Sequence, residues 1–119
     1  MNTILIVDDS LYMRTIIKDT LSSAGYKIVG QAANGEEAID MAITLKPDLI
    51  TLDNILPDML GLDIIRTLKE EKSASKIIMV SAVGQQSVIN TGLALGADSY
   101  LVKPFSSEQL LETVSKVLA

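Results

Sequence analysis

The sequence predicts an α/β protein with an open, doubly wound (βα)5 parallel sheet, and three observations predict it. Five short apolar runs rich in Ile, Val and Leu recur along the 119 residues, as strands buried on both faces do. Segments with helical spacing separate the runs, so strand and helix alternate throughout. Four of the runs break at a polar residue: Asp8 and Asp9 after ILIV, Asp53 after DLITL, Ser81 after KIIMV, and Lys103 after YLV.

The runs place strands at 3–7, 27–32, 48–52, 76–80 and 99–102. Met13, Ile16, Ile17, Thr20, Leu21 and Ala24 follow the three-four spacing of an amphipathic helix after the first strand. Ala38, Met41, Ala42 and Leu45 do so after the second, and Gly61, Ile64, Ile65 and Leu68 after the third. A fourth helix over 85–95 has only a narrow stripe through Val88, Ile89 and Leu93, with Thr91 and Gly92 inside it. Leu110, Leu111, Val114, Val117 and Leu118 give the last helix its apolar face. Asn34 with Glu37, and Ser106 with Gln109, have capping-box spacing, and Phe105 with Leu110 fits a hydrophobic staple. Gly25 and Gly96 fall just past helices one and four, where a left-handed residue is usual. The five Met are scattered and read as packing residues.

No repeat, low-complexity stretch or linker interrupts the pattern, so residues 1–119 are expected to form one domain. Parallel strands joined by right-handed crossovers put helices on both faces, and five units are too few to close an eight-stranded barrel. The strand order 2-1-3-4-5 is adopted from the flavodoxin-like arrangement rather than derived from the residues. In that order the site lies at the carboxyl ends of strands one and three.

Composition narrows the chemistry. There is no cysteine and no histidine, which excludes thiolate nucleophiles, disulfides, thiolate or histidine metal sites and Ser-His-Asp triads. Carboxylates, hydroxyls, lysine and a hard metal remain. A net charge of −5 argues against nucleic-acid binding, which depends on neutralising phosphates. No apolar stretch approaches the ~20 residues that span a bilayer. No membrane contact and a cytoplasmic location are therefore expected.

With strands one and three adjacent, Asp8 and Asp9 lie one strand spacing from Asp53, roughly 5 Å. Two carboxylates at that distance repel by roughly 3 kcal/mol at an effective dielectric near 20, which favours proton uptake or a bound cation. Mg²⁺ suits such oxygen ligands and also grips phosphate. Lys103 stands two strands from Asp53 and can reach back over the crevice, and Ser81 brings a hydroxyl nearer. Singly, each residue has a plainer role: Asp9 or Ser10 could cap helix one, and Asp53 could be a turn residue beside Asn54 and Pro57. Ser81 could be an N-cap, Lys103 a solvated strand-end charge, and Tyr100 a half-buried strand residue. Their joint arrival at one sheet edge favours phosphoryl transfer.

These residues resemble the receiver domain of two-component response regulators over essentially the whole chain. VDDS at 7–10, LDNILPDMLG at 52–61, SA at 81–82 and KPF at 103–105 carry the resemblance, in the right order and spacing. Within the family, SAVGQQ at 81–86 and YLVKPF at 100–105 are most similar to the stand-alone chemotaxis regulators of the CheY type. The resemblance implies that Asp53 accepts a phosphoryl group from a phosphohistidine of a histidine kinase or phosphotransfer domain. It implies Mg²⁺ bound by Asp9, Asp53 and the backbone carbonyl of Ile55, with Asp8 acting mostly through water. Lys103 would pair with the Asp53 carboxylate and then with a phosphoryl oxygen, while Ser81 moves toward another. Tyr100 would turn inward and alter the face of helix four, strand five and helix five, where a flagellar switch protein or other output protein binds. A cis peptide before Pro104 and a monomer are also implied. Leu56 stands where the family usually has Met, a nearly volume-conserving change.

The side chains two positions beyond the acceptor and two beyond the Ser/Thr flank the path of hydrolytic water in receivers. Here they are Ile55 and Val83, so slow self-dephosphorylation is expected. An aspartyl phosphatase of the haloacid dehalogenase kind needs an acid/base carboxylate at the position of Ile55, and is disfavoured. A signalling switch rather than an enzyme is expected, and a complete single-domain regulator rather than a phosphorelay shuttle or a receiver excised from a longer protein.

Overall fold

A computed structural model describes residues 2–82 and 85–119. Strand β1 spans Thr3–Val7, β2 Lys27–Ala32, β3 Leu49–Asp53, β4 Lys76–Ala82 and β5 Ser99–Lys103. The helices are α1 at Leu11–Ser23, α2 at Gly35–Leu45, α3 at Gly61–Glu70, α4 at Gln86–Leu95 and α5 at Ser107–Leu118. All four strand pairings are parallel and the order is β2-β1-β3-β4-β5, as expected.

Alternate residues of each strand feed two cores. Leu5, Val7, Ile50, Leu52, Ile77 and Met79 pack on α2 and α3 through Ala38, Ala42, Ile64, Ile65 and Leu68. Ile4, Ile6, Leu49, Ile78 and Leu101 face α1 and α5, against Ile17, Leu21, Leu110 and Val114. Gly92 sits inside the weak stripe of α4: a Cβ there would overlap the end of the Met79 side chain, so the glycine lets the helix lie close on β4 without displacing Met79.

Three strands differ from the expected bounds. β3 begins one residue later, at Leu49, although the Asp48 backbone still donates to the Thr3 carbonyl at 3.0 Å and accepts from Lys76 N–H at 2.9 Å. β3, β4 and β5 also run on through Asp53, Ser81 and Lys103, since a polar side chain does not end a backbone ladder: Asp53 pairs with Val80, Ser81 with Val102, and Lys103 with Ala82.

Most of the helix punctuation stands. Gly25 and Gly96 have φ of 94° and 118°, and Ser106 and Gln109 form the full capping box. Phe105 packs in the same cluster as Leu110. At α2 the box is incomplete. Asn34 accepts from Glu37 N–H at 2.9 Å, but the Glu37 carboxylate takes the N–H of Ala33 rather than that of Asn34. Lys46 and Lys72 also adopt left-handed backbone, with φ of 46° and 57°, at positions the sequence did not flag.

Candidate functional site

The site is assembled at the carboxyl ends of the strands. Ser10, not Asp9, caps α1, with its hydroxyl accepting from Met13 N–H at 3.2 Å. Asp8 stands just past β1, 1% exposed, and its Oδ1 accepts from Ser10 N–H at 2.8 Å. That leaves Asp9 exposed and uncommitted to a cap. Carboxylate oxygens of Asp8, Asp9 and Asp53 all lie within 4.8 Å of one another, so the expected crowding is real.

Lys103 reaches buried Asp8 and partly buried Asp53: its Nζ is 3.0 Å from Asp8 Oδ2 and 3.5 Å from Asp53 Oδ2. The expected partner was Asp53 alone, yet the shorter contact goes one strand farther. Asp8 is the more deeply buried carboxylate, and a buried charge is the one that most needs a counter-charge. Burial is the largest influence on Asp53 and raises its pKa; Lys103 pulls it down, Asp8 and Asp9 push it up, a backbone hydrogen bond from Ile55 lowers it, and the net shift is upward from 3.8. For Lys103 burial works to lower the pKa, but the hydrogen bonds and charges of Asp8 and Asp53 outweigh it, and the net shift is upward from 10.5.

Ser81 makes no hydrogen bond to the carboxylates. Asp53 and Lys103 share the strand parity that faces α1 and α5, whereas Ser81 shares the parity of Met79 and faces α4. Its hydroxyl is buried without a hydrogen-bond partner. Tyr100 follows the same parity as Ser81 and is 42% exposed. Ile55 stands in the turn after β3, with its side chain 57% exposed beside the acceptor. Val83 lies outside the described residues. The peptide before Pro104 is cis.

Three further residues shape the site without having been flagged. Arg14 Nη1 donates to the Asp8 carbonyl at 2.6 Å and Nε to Gln31 Oε1 at 3.1 Å, tying α1 to the end of β1 and to β2. Nothing local in the sequence links positions 8, 14 and 31. Asn54 is buried, its carbonyl accepting from Gly61 N–H at 2.6 Å and its side chain from Leu62 N–H at 3.4 Å. Asp58 bonds across to α2. A Pro-Asp pair in a turn hides that role. A cleft of about 570 Å³ opens at the opposite edge of the sheet, beside Lys46 and Lys72, and contains none of the site residues.

The chain matches the family model described as the response regulator receiver domain over residues 4–115. It is a response-regulator receiver domain. This receiver is 40% identical to the chemotaxis protein CheY of Thermotoga maritima, over 96% of this chain and 95% of that one. It is also 38% identical to the nitrate/nitrite response regulator NarL of Escherichia coli, covering 98% of this chain but 55% of that protein. Among solved structures, the CheX-CheY-BeF3-Mg²⁺ complex of Borrelia burgdorferi superposes with a TM-score of 0.94 at 31% identity, covering 99% of this chain and 90% of that one.

Receiver domains bind Mg²⁺ at an acidic pocket, and the residues of this receiver fit the ion. The donors are hard carboxylate oxygens, the cluster carries more negative charge than Lys103 neutralises, and Asp9 is free to ligate. Among the described residues no helix is long and apolar enough to cross a membrane.

Proposed function

We propose that this receiver is a phosphorylation-driven signalling switch rather than an enzyme, with Asp53 as the acceptor. The observation that carries the reading is the convergence of Asp8, Asp9, Asp53 and Lys103 at one sheet edge. A carboxylate oxygen of Asp53 attacks the phosphorus of a phosphohistidine on a histidine kinase or phosphotransfer domain. The P–N bond breaks, and the imidazole leaves and takes up a proton. Asp8, Asp9, Asp53 and the Ile55 carbonyl would hold Mg²⁺, which supplies charge neutralisation at the phosphoryl oxygens when bound. Lys103 stays anchored by Asp8 while its ammonium turns from Asp53 toward a phosphoryl oxygen. The Ser81 hydroxyl, having no bond to break, moves toward another oxygen at no cost in hydrogen bonding. Because Ser81 and Tyr100 lie on the α4 side of the sheet, that movement vacates space into which Tyr100 turns and remodels the α4-β5-α5 face.

The output we propose is chemotactic: a cytoplasmic monomer whose phosphorylated face binds a flagellar switch protein, without contact to nucleic acid or membrane. Support comes from the similarity to CheY over nearly the full length of both chains, and from the related CheY that was solved with BeF3, Mg²⁺ and CheX. NarL, of which this chain spans about half, favours a second reading, the receiver of a longer regulator.

Incubation with acetyl phosphate and Mg²⁺ should label one site, and Asp53→Asn should abolish the label. Labelling of that variant, or labelling undiminished by EDTA, overturns the assignment. The label should decay slowly, because exposed, apolar Ile55 cannot orient a water, and Ile55→Asn should speed the decay. Capture of flagellar switch components by the beryllofluoride form, against capture of phosphotransfer proteins, separates chemotaxis from a phosphorelay.

A further inference from the structure

The loop between β3 and α3 is fastened to a helix it does not lead into. Asp58 Oδ1 accepts from Gly35 N–H at 2.7 Å, and Oδ2 accepts from Glu36 N–H at 3.0 Å. A carboxylate more than twenty residues away in the chain thus serves the first turn of α2, beside the bond that Asn34 makes to Glu37 N–H. Between them the two side chains satisfy three donors that a helix start leaves open. The second point of attachment is steric: a Cβ on Gly35 would overlap Cγ and Sδ of Met59, so loop and helix are in contact at successive loop residues.

The loop is also tied internally. Leu56 N–H donates to the Met59 carbonyl at 3.3 Å, Ile55 forms an antiparallel bridge with Leu60, and Gly61 N–H donates to the Asn54 carbonyl at 2.6 Å. Residue 55 therefore moves with residues 58–60. We infer that Asp58 is a positioning residue for the metal site: by clamping the loop to Gly35 and Glu36 it sets where the Ile55 carbonyl stands relative to Asp53. The inference rests on the proposed Mg²⁺ role of Ile55. A residue that served only to cap α2 would act on the stability of that helix and leave the metal site alone.

The test is calorimetric titration of the whole chain with Mg²⁺, alongside metal-free urea denaturation. Asp58→Ala and Gly35→Ala, which loosen the clamp from opposite sides, should each weaken Mg²⁺ binding about tenfold, the scale seen when groups behind metal ligands are removed, whereas Asn34→Ala should hold it within about twofold. Asn34→Ala removes a cap from the same helix, so it should lose stability without losing affinity. Asp58→Asn keeps one acceptor and should recover part of the affinity. Amide exchange at Ile55 and Leu56 should quicken in Asp58→Ala. Wild-type affinity in Asp58→Ala overturns the inference, and so does an affinity loss in Asn34→Ala that matches it, because affinity would then follow helix stability alone. A wild-type protein that fails to bind Mg²⁺ overturns the functional reading itself, before any variant is compared.

Discussion

Thr51 and Ser81 are the two buried side-chain hydroxyls without a partner among the described residues, and their surroundings separate them. Thr51 lies mid-strand between Ile6 and Ile78, where nothing polar can arrive. Ser81 lies at the strand end, where a phosphoryl oxygen can. An unbonded buried hydroxyl costs stability, so Thr51→Val should raise the metal-free unfolding free energy by an amount on the order of 1 kcal/mol. Ser81→Ala should leave that value unchanged or higher. If urea denaturation shows both variants clearly less stable, these hydroxyls have partners and the argument about Ser81 fails. The sequence made Asp8, Asp9, Asp53 and Lys103 legible through type and position at strand ends. It could not give the Lys103 contact with Asp8, because depth of burial is a property of the packed sheet.

Element order was legible because period-two and period-3.6 patterns alternate cleanly in this chain, while element ends were not. A polar residue marks where the apolar run stops, not where the ladder stops, which is why β3, β4 and β5 continue through Asp53, Ser81 and Lys103. Helix caps were legible where they are local, as at Ser106 and Asn34, and hidden where another element adds one, as Asp58 does for α2. Gly61 shows the same limit. At the start of α3 its Cβ would lie 2.7 Å from the Asp53 carbonyl oxygen and 2.9 Å from Asn54 Cα, both backbone atoms that cannot swing aside. Gly61→Ala should therefore cost roughly 1–3 kcal/mol as an overpacking change. It should also slow labelling of Asp53, because the acceptor's own backbone must shift. A variant as stable as wild type in urea would show that the loop yields where the geometry says it cannot.

Across the whole molecule, one sheet edge carries the charge cluster and the two faces carry the cores, so the metal-free protein is strained electrostatically at one end. The raised pKa of Asp53 gives that strain a sign. Between pH 3.8 and the higher native value, the folded state holds more protons at Asp53 than the unfolded chain does, so this contribution to stability falls as pH rises. It is absent below 3.8 and fully unfavourable above the native value. Asp53→Asn lacks the penalty and leaves Lys103 paired with Asp8, so at neutral pH without metal it should exceed wild type by an amount on the order of 1 kcal/mol. The difference should vanish in acid. Mg²⁺ should reverse it, since wild type gains about 2.7 kcal/mol at a hundredfold excess over Kd and the amide variant gains less. The raised Lys103 pKa acts at the other end of the scale: its contribution is intact below 10.5 and is lost only as pH climbs through the native value, leaving the acid and neutral comparison undisturbed. Urea midpoints of wild type and Asp53→Asn across pH, with and without Mg²⁺, decide the matter. A variant less stable than wild type at neutral pH without metal, or a gap that persists in acid, would mean that the carboxylates are not crowded enough to favour a cation.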